Sequence, residues 1–462
     1  MASRKPSAGQ ISASAFSGQP NRRNFLKTSA AVAAAGIAVP YFHTSLSAQE
    51  SNPADSGRMK LGCIGTGSRW DGVGPNAMEF ADCVAVCDVD KRHAAKGVKV
   101  VEDRQKRTPV AHEDYRKILD DDSIGVVTIV TPDHWHTKIA IEALKSGKHV
   151  YCEKPLTLTI EEGKLIAKAV EETGKTFQVG TQQRSEMGAR FLQAVAIVRD
   201  GRIGDLQEIE CRIGGAPASG PLKTEPVPSE LNWEMWLGQA PLEEYIPRRC
   251  HYEFRWWYEY SGGKMTDWGA HHVDIASWAS GKDQSGPVKV TPISATHPVP
   301  LNEYGMPTRD NEYNTATAFK VALQFEDGMK MIIRDDEENG VLFTGSEGRF
   351  FVNRGKITGK PVEDLKDKPL PEDLMTEIYG GEDYKHGNAH MRNFFTSIAA
   401  KKQPVSDVFS HHRAMTNCHL ANIAIRLGRE LQWDPEAQQI VGDDQARSMQ
   451  AREQRKGYEI TV

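Results

Sequence analysis

No aspartate or glutamate precedes Glu50, whereas Arg4, Lys5, Arg22, Arg23 and Lys27 all do. Such an imbalance excludes an ordinary folded surface for this stretch and is the composition of a targeting segment. Asn21 to Lys27, with its paired arginines, leads into the apolar run Ala30 to Val39, and small residues continue to Ala48. The pattern predicts a twin-arginine signal over residues 1–48 and export to the periplasm. The apolar run is shorter than the ~18 residues a spanning helix needs, so no membrane span is expected in the mature chain.

Other scarcities narrow the class. The seven cysteines are odd in number and contain no Cys-x-x-Cys pair, which argues against a disulfide framework or a zinc ribbon. Cys63, Cys87 and Cys152 fall in or at the ends of apolar strand-like runs and are expected to be buried thiols. There is no basic excess: the formal net charge is -5, which leaves no patch for nucleic acid. No long charge block and no repeat of solenoid period occurs. With 39% hydrophobic and 26% charged residues, the chain fits a soluble protein of about two domains.

From Arg58 a parallel α/β pattern is present. Met59 to Ile64, Cys83 to Cys87 and Ile124 to Val130 are short and continuously apolar, as strands covered on both faces are. The helical stretches between them make βαβ crossovers, and the fold class expected is α/β, a Rossmann-type doubly wound sheet. The boundaries predicted are 58–180 for this domain, 181–433 for a second domain and 434–462 for a polar terminal arm.

Chemistry enters at the turn after the first strand. Gly65 and Gly67 there suit close approach of the backbone to a pyrophosphate, with the following helix N-terminus offered to the charge. Trp70 stands where a third glycine of the dinucleotide fingerprint belongs, with Gly72 and Gly74 just beyond. Asp88, an acid at the end of the second strand, is placed to hold a ribose diol; its other reading is a helix N-cap. The charge of Asp88 favours NAD, with NADP as the alternative if Lys91 and Arg92 turn inward.

Thr131-Pro132-Asp133-His134-Trp135-His136 lies at the carboxyl end of the third strong strand, where a nicotinamide could pass or a helix could simply start. His134 and His136 lack an acid or cysteine at supporting spacing, so no metal is expected. Val150 to Pro155 is a short apolar strand ending in Glu153, Lys154 and a proline. It lies between the two halves, so its lysine can face a nucleotide on one side and a substrate on the other.

Asp267, His271 and Asp274 are spaced i, i+4, i+7, which puts all three on one face of a helix. This is either a polar helix face or a proton-accepting histidine oriented by carboxylates. Gly262 and Gly263 just before suit close approach to a ligand. Gln182, Gln183 and Arg184 follow the strand Thr176 to Val179 and could line a pocket. Phe254 to Tyr258 is an aromatic run for packing or for stacking on a sugar ring. Phe319 to Phe325, the turn Asp327-Gly328, and Met329 to Ile333 read as a β-hairpin.

Gly65-Thr66-Gly67, Cys87-Asp88-Val89, Thr131 to His136 and Cys152-Glu153-Lys154-Pro155 together resemble the Gfo/Idh/MocA oxidoreductases over nearly the whole mature chain. The resemblance implies a second α/β domain with a large, mostly antiparallel sheet and a homo-oligomer built on it. It implies an NAD(P)-dependent enzyme acting on a sugar or polyol, with Lys154, His271 and Asp267 catalytic. Gly65, Gly67, Asp88, Thr131, Pro132, His136, Glu153 and Lys154 are then expected at the cofactor, and Arg184, Asp274 and His272 at the substrate. The same resemblance admits redox-assisted glycoside cleavage, and a non-catalytic sugar or nucleotide sensor is a third reading.

Overall fold

The computed structural model describes residues 57–461, so the expected signal at 1–48 lies outside the described residues. The first sheet contains β1 (Lys60–Ile64), β2 (Asp82–Cys87), β3 (Val110–His112), β4 (Ile124–Ile129), β5 (His149–Cys152) and β6 (Phe177–Val179). They pair in the order β3-β2-β1-β4-β5-β6, all parallel. The order reverses between β1 and β4, and that crevice at the strand ends is where an open parallel sheet takes a ligand. Helices α1 (Lys91–Gln105), α2 (Asp133–Lys145) and α3 (Ile160–Thr173) make the crossovers. Thr159 caps α3 by accepting from the Glu162 amide, and Gly174 ends it in the left-handed conformation.

The second sheet has nine strands: β7 (Leu206–Arg212), β8 (Lys289–Thr296), β9 (Ala318–Gln324), β10 (Lys330–Arg334), β11 (Gly340–Gly345), β12 (Arg349–Val352), β13 (Ile357–Thr358), β14 (Leu431–Asp434) and β15 (Gln439–Val441). Their order is β13-β12-β11-β7-β10-β9-β8-β14-β15, antiparallel except between β10 and β7. The predicted hairpin is β9–β10, with Gln324 opposite Lys330. Every second residue of β9 is buried, as a sheet with one packed face requires.

Five further helices carry the site or brace it: α4 (Arg190–Arg199), α5 (Lys264–Asp267), α6 (Gly269–Ser280), α7 (Ala389–Ala400) and α8 (Val408–Leu427). Asp407 caps α8 through the amides of Phe409 and Ser410. That helix packs against α3 of the first domain as well as α6 and β8 of the second, so the two domains share a buried spine. The predicted boundary at Asp434 falls inside the β14–β15 hairpin. Beyond it the chain returns to the first domain, where Lys138 donates to the Glu459 carbonyl and Tyr458 meets the edge of Trp135. All seven cysteines are buried and free.

Trp233, Trp236, Tyr245, Trp256, Trp257, Tyr260 and Tyr313 form an aromatic core of their own. Trp256 and Trp257 therefore pack inside rather than presenting an open stacking face. Among the described residues, no helix is long and apolar enough to cross a membrane.

Candidate functional site

A cavity of about 590 Å³ runs along the carboxyl ends of β1, β2 and β4, lined by Gly65, Gly67, Asp88, Thr131, Pro132 and Glu153 among others. Gly65 has φ +81, and a Cβ there would stand 2.5 Å from the Val130 carbonyl oxygen, so no other residue fits. The turn leads into a single 3-10 turn, Ser68–Gly72, rather than a long helix, so the expected helix N-terminus is only a short one. Trp70 explains the missing third glycine. Its indole is fully buried against Gly74, where a Cβ would come within 2.1 Å of the ring.

Asp88 accepts from the amides of Thr66 at 2.8 Å and Asp90 at 2.9 Å, which fixes its carboxylate beside the glycine turn. His93 lies 3.6 Å from it, and this contact raises the imidazole pKa. Asp90, His93 and His251 approach one another closely enough to offer ligand atoms to an ion, but Arg92 already holds both Asp90 oxygens. Thr131 Oγ1 is buried in the cleft and makes no protein hydrogen bond, as a group awaiting a bound ligand would. Glycines, a carboxylate and this hydroxyl are the donor and acceptor set a dinucleotide requires, and the cavity fits it.

His136 does not line the cleft. Its ring nitrogens lie 2.9 Å from the Thr131 carbonyl and 2.7 Å from the Pro155 carbonyl, so it ties two walls together instead of meeting a cofactor. The reason is helical: α2 starts at Asp133, and His136, buried in its first turn, faces the carbonyls of Thr131 and Pro155 just beyond β4 and β5.

Lys154 follows β5, and the Lys154–Pro155 peptide is cis. Its Nζ donates to Asp267 Oδ1 at 2.7 Å and to the Asp267 carbonyl at 3.1 Å. Burial works to raise the Asp267 pKa, yet Lys154 and Arg255 hold it below the usual carboxylate range. Next to it, Glu153 Oε1 accepts from Arg69 and Gln182, each at 2.9 Å.

A second cavity of about 280 Å³ adjoins the first, and Arg69, Gly72 and Lys154 line both. Its walls include Tyr151, Glu186, Trp268, His271 and Arg354. His271 is buried with Nδ1 unpartnered. Burial, with the nearby charges of Lys154 and Arg354, drops its pKa well below the ordinary histidine value, so the ring is neutral and able to accept a proton.

The triplet is not on one helix face. The chain breaks at Trp268, between α5 and α6, so Asp267 sits on a separate turn while His271 opens α6. Asp274 turns into the core and forms a buried ion pair with Arg184, at 2.6 and 2.8 Å, with His411 at 3.2 Å. His272 is clasped between Gln183 and Asn339. Arg184, Asp274 and His272 therefore line neither cavity, contrary to what the resemblance implies; α6 is buried along nearly its whole length, and Asp274 lies deep in the packing. Arg69, Glu186, Trp268 and Arg354 line the site without having been legible. Only Arg69, two residues past Gly67, carried a positional signal.

Residues 59–181 match the oxidoreductase family's NAD-binding Rossmann fold, and residues 218–460 match that family's C-terminal alpha/beta domain. Residues 19–38 match the twin-arginine translocation pathway signal sequence, which indicates export by that route. A glycosyl hydrolase family 109 protein of Shewanella pealeana is 30% identical over 204 residues, covering 40% of this chain and 44% of its own length. An alpha-N-acetylgalactosaminidase of Shewanella oneidensis is 29% identical over 207 residues, with the same coverage. The chain thus spans less than half the length of the curated relatives it matches.

Among solved structures, the WlbA dehydrogenase from Bordetella pertussis, in complex with NADH and UDP-GlcNAcA, is 18% identical. It superimposes with a TM-score of 0.58 over 82% of this chain and 98% of its own. A levoglucosan dehydrogenase in complex with NADH and levoglucosan gives a TM-score of 0.56 at 18% identity, over 81% and 99%. These likenesses show the fold. With the two cavities meeting at Lys154 and both domains matched along the chain, the protein belongs to the Gfo/Idh/MocA oxidoreductase family.

Proposed function

We propose that the protein oxidises a hydroxyl of a sugar or polyol, with NAD held in the larger cavity and the substrate in the smaller. The observation that carries this reading is Lys154, whose side chain lines both cavities while Asp267 holds its ammonium in place. When bound, the nicotinamide supplies the acceptor for a hydride from the substrate carbon. Lys154 holds the reacting oxygen and stabilises the negative charge that develops on it. His271, neutral because of its burial, takes the hydroxyl proton. Asp267 orients Lys154 through the contact of Oδ1 with Nζ. Thr131, Pro132 and Glu153 position the nucleotide, and Asp88, facing the ribose, selects NAD over NADP.

The test is mass analysis of nucleotide released from purified protein, followed by a sugar panel read by absorbance of the reduced nicotinamide. Release of no nucleotide and no reduction by any sugar sinks the reading.

The curated relatives named as glycosidases favour a second reading, in which transient oxidation acidifies a neighbouring C–H and a glycosidic bond is eliminated. Cleavage of an aryl glycoside with no net change in the nucleotide selects it over the first. We further read the protein as a periplasmic homo-oligomer that contacts its partner through the nine-stranded sheet.

A further inference from the structure

Arg354, in the turn between β12 and β13, has no assigned role and stands exposed at the rim of the smaller cavity. Its guanidinium is fixed on two sides. Nε donates to Gln183 Oε1 at 2.9 Å, and the planar face lies 4.6 Å above the Trp268 ring. Gln183 is itself buried, with Nε2 facing His272 Nδ1 at 3.3 Å, and His272 Nε2 faces Asn339 Oδ1 at 3.0 Å. Burial drops His272 to about 4, so the ring is neutral, accepting at Nδ1 and donating at Nε2. The chain Asn339–His272–Gln183 therefore acts as a brace for the arginine, which gives the misassigned His272 a positioning role.

Two terminal nitrogens of Arg354 remain, side by side and without a carboxylate partner among the described residues. Every other cation at the cavity is matched: Lys154 by Asp267 and Arg69 by Glu153. Glu186, the remaining acid of the wall, is raised by its own burial, against the pull of Arg69, and forms no ion pair with Arg354. A rigid, unneutralised guanidinium fork is the group that receives a planar oxyanion in two parallel hydrogen bonds. One uncompensated positive charge matches one carboxylate better than the nearly double charge of a phosphate monoester. The cavity, at about 280 Å³, sits at the lower edge of the ~300–1,000 Å³ typical of ligand pockets, the scale of a single sugar unit.

We propose that the substrate is a carboxylate-bearing monosaccharide, of the uronate type, whose carboxylate is held by Arg354 while the hydroxyl to be oxidised reaches Lys154 and His271. This rests on reading the smaller cavity as the sugar's. Lys154, His271 and Arg354 all line this one small cavity, so a single sugar unit can meet all three.

Calorimetric titration of the nucleotide-loaded protein with glucuronate and galacturonate, with glucose and galactose, and with glucose 6-phosphate tests it. One uronate should bind at least about tenfold tighter than its matched hexose, the value of a good charge-assisted pair. In Arg354→Leu the advantage of the uronate over its matched hexose should vanish, with circular dichroism confirming that the variant is folded, and Arg354→Lys should restore only part of it. Equal or tighter binding of the hexoses, tighter binding of the phosphosugar, no uronate binding, or a variant that weakens all sugars alike overturns the proposal. Nucleotide reduction is read separately. Carboxylate preference without any hydride transfer sinks the oxidoreductase reading and leaves this one standing, whereas rapid oxidation of neutral sugars alone does the reverse.

Discussion

Lys154 and Asp267, 113 positions apart in the chain, meet with Nζ 2.7 Å from Oδ1 and 3.1 Å from the main-chain carbonyl of the same aspartate. This clasp joins the end of β5 in the first domain to α5 in the second, at the boundary between the two cavities. Lys154→Ala should lower kcat by ~10²-fold or more, the cost of losing a polarising cation at the reacting oxygen, while nucleotide affinity stays close to that of the parent. Single-turnover reduction of bound nucleotide, paired with a nucleotide titration, checks both halves. A variant retaining more than half its turnover removes Lys154 from the chemistry.

His271 acts as a base only when neutral, and its pKa lies well below 6.5 because of burial first and Lys154 next. Activity should therefore hold constant from neutrality down through pH 6.5 and fall only in clearly more acid solution. His271→Asn should be slow at every pH and should lack that acid limb. Superimposable pH–rate profiles for the two proteins would move the base elsewhere, to Lys154 or a water chain.

What was legible in the chain is what depends on local pattern. Continuous apolar runs gave β1, β2 and β4 nearly to the residue, and Gly65, Asp88 and Lys154 stand where strand-end chemistry puts them. The terminal hairpin of β14 and β15 was missed because it joins the sheet only through the short pairing of β14 with β8, far back in the sequence. Helical spacing misled at Asp274: the rule assumes an unbroken helix, and the break at Trp268 sends Asp267 and Asp274 to different surroundings, while His272 is held in the packing by Gln183 and Asn339. Arg354 carries no motif at all. Only the folding of the β12–β13 turn onto Trp268 brings it to the cavity.

Asp88→Ala should weaken NAD binding more than NADP binding, because one change removes a ribose acceptor and the repulsion of a 2′-phosphate. Arg92 is committed to Asp90 and lies outside the cleft lining, so on the proposed reading the discrimination falls to Asp88. The substitution also strips the partner from the Thr66 amide in a fully buried residue, so a stability loss of ~1–3 kcal/mol should accompany it. Titration with both nucleotides and a denaturant midpoint separate the two effects. Equal weakening for both nucleotides would mean that Asp88 serves the turn alone.

Five buried histidines set an acid limit on the fold. Burial holds His272, His390 and His412 at about 4, and His134 and His419 at about 3. Below pH 6.5 the unfolded chain binds a proton at each of these positions, whereas the folded chain does not until about pH 4 or lower. Acid therefore favours the unfolded state, by ~1.4 kcal/mol per pH unit for each such histidine within that window. Melting temperature should fall steeply from pH 6.5 to 4, and His419→Gln should make the slope shallower. A melting temperature that stays level across this range contradicts the assignment.

Export by the twin-arginine route carries a folded protein out of the cytoplasm, and the proposed reaction needs a nicotinamide nucleotide that the exterior is not expected to supply. Residues of the second domain, Met235, Trp236, His251, Tyr252, Phe254 and Arg255, line the cleft together with the glycine turn. Trp236 and Phe254 belong to the aromatic core around Trp257 and Tyr313, so moving them away disturbs buried packing. We therefore expect the nucleotide to be loaded before export and to stay bound through a closed cycle, the hydride returning to the same sugar or a second one. Bound nucleotide should also raise folded stability by mass action, so stripping it should lower the melting temperature. Native mass spectrometry of protein recovered from the periplasm should show one nucleotide per chain, with exchange against free nucleotide far slower than turnover. Recovery of empty protein that exchanges nucleotide rapidly would defeat the closed cycle and require a cofactor supplied from outside.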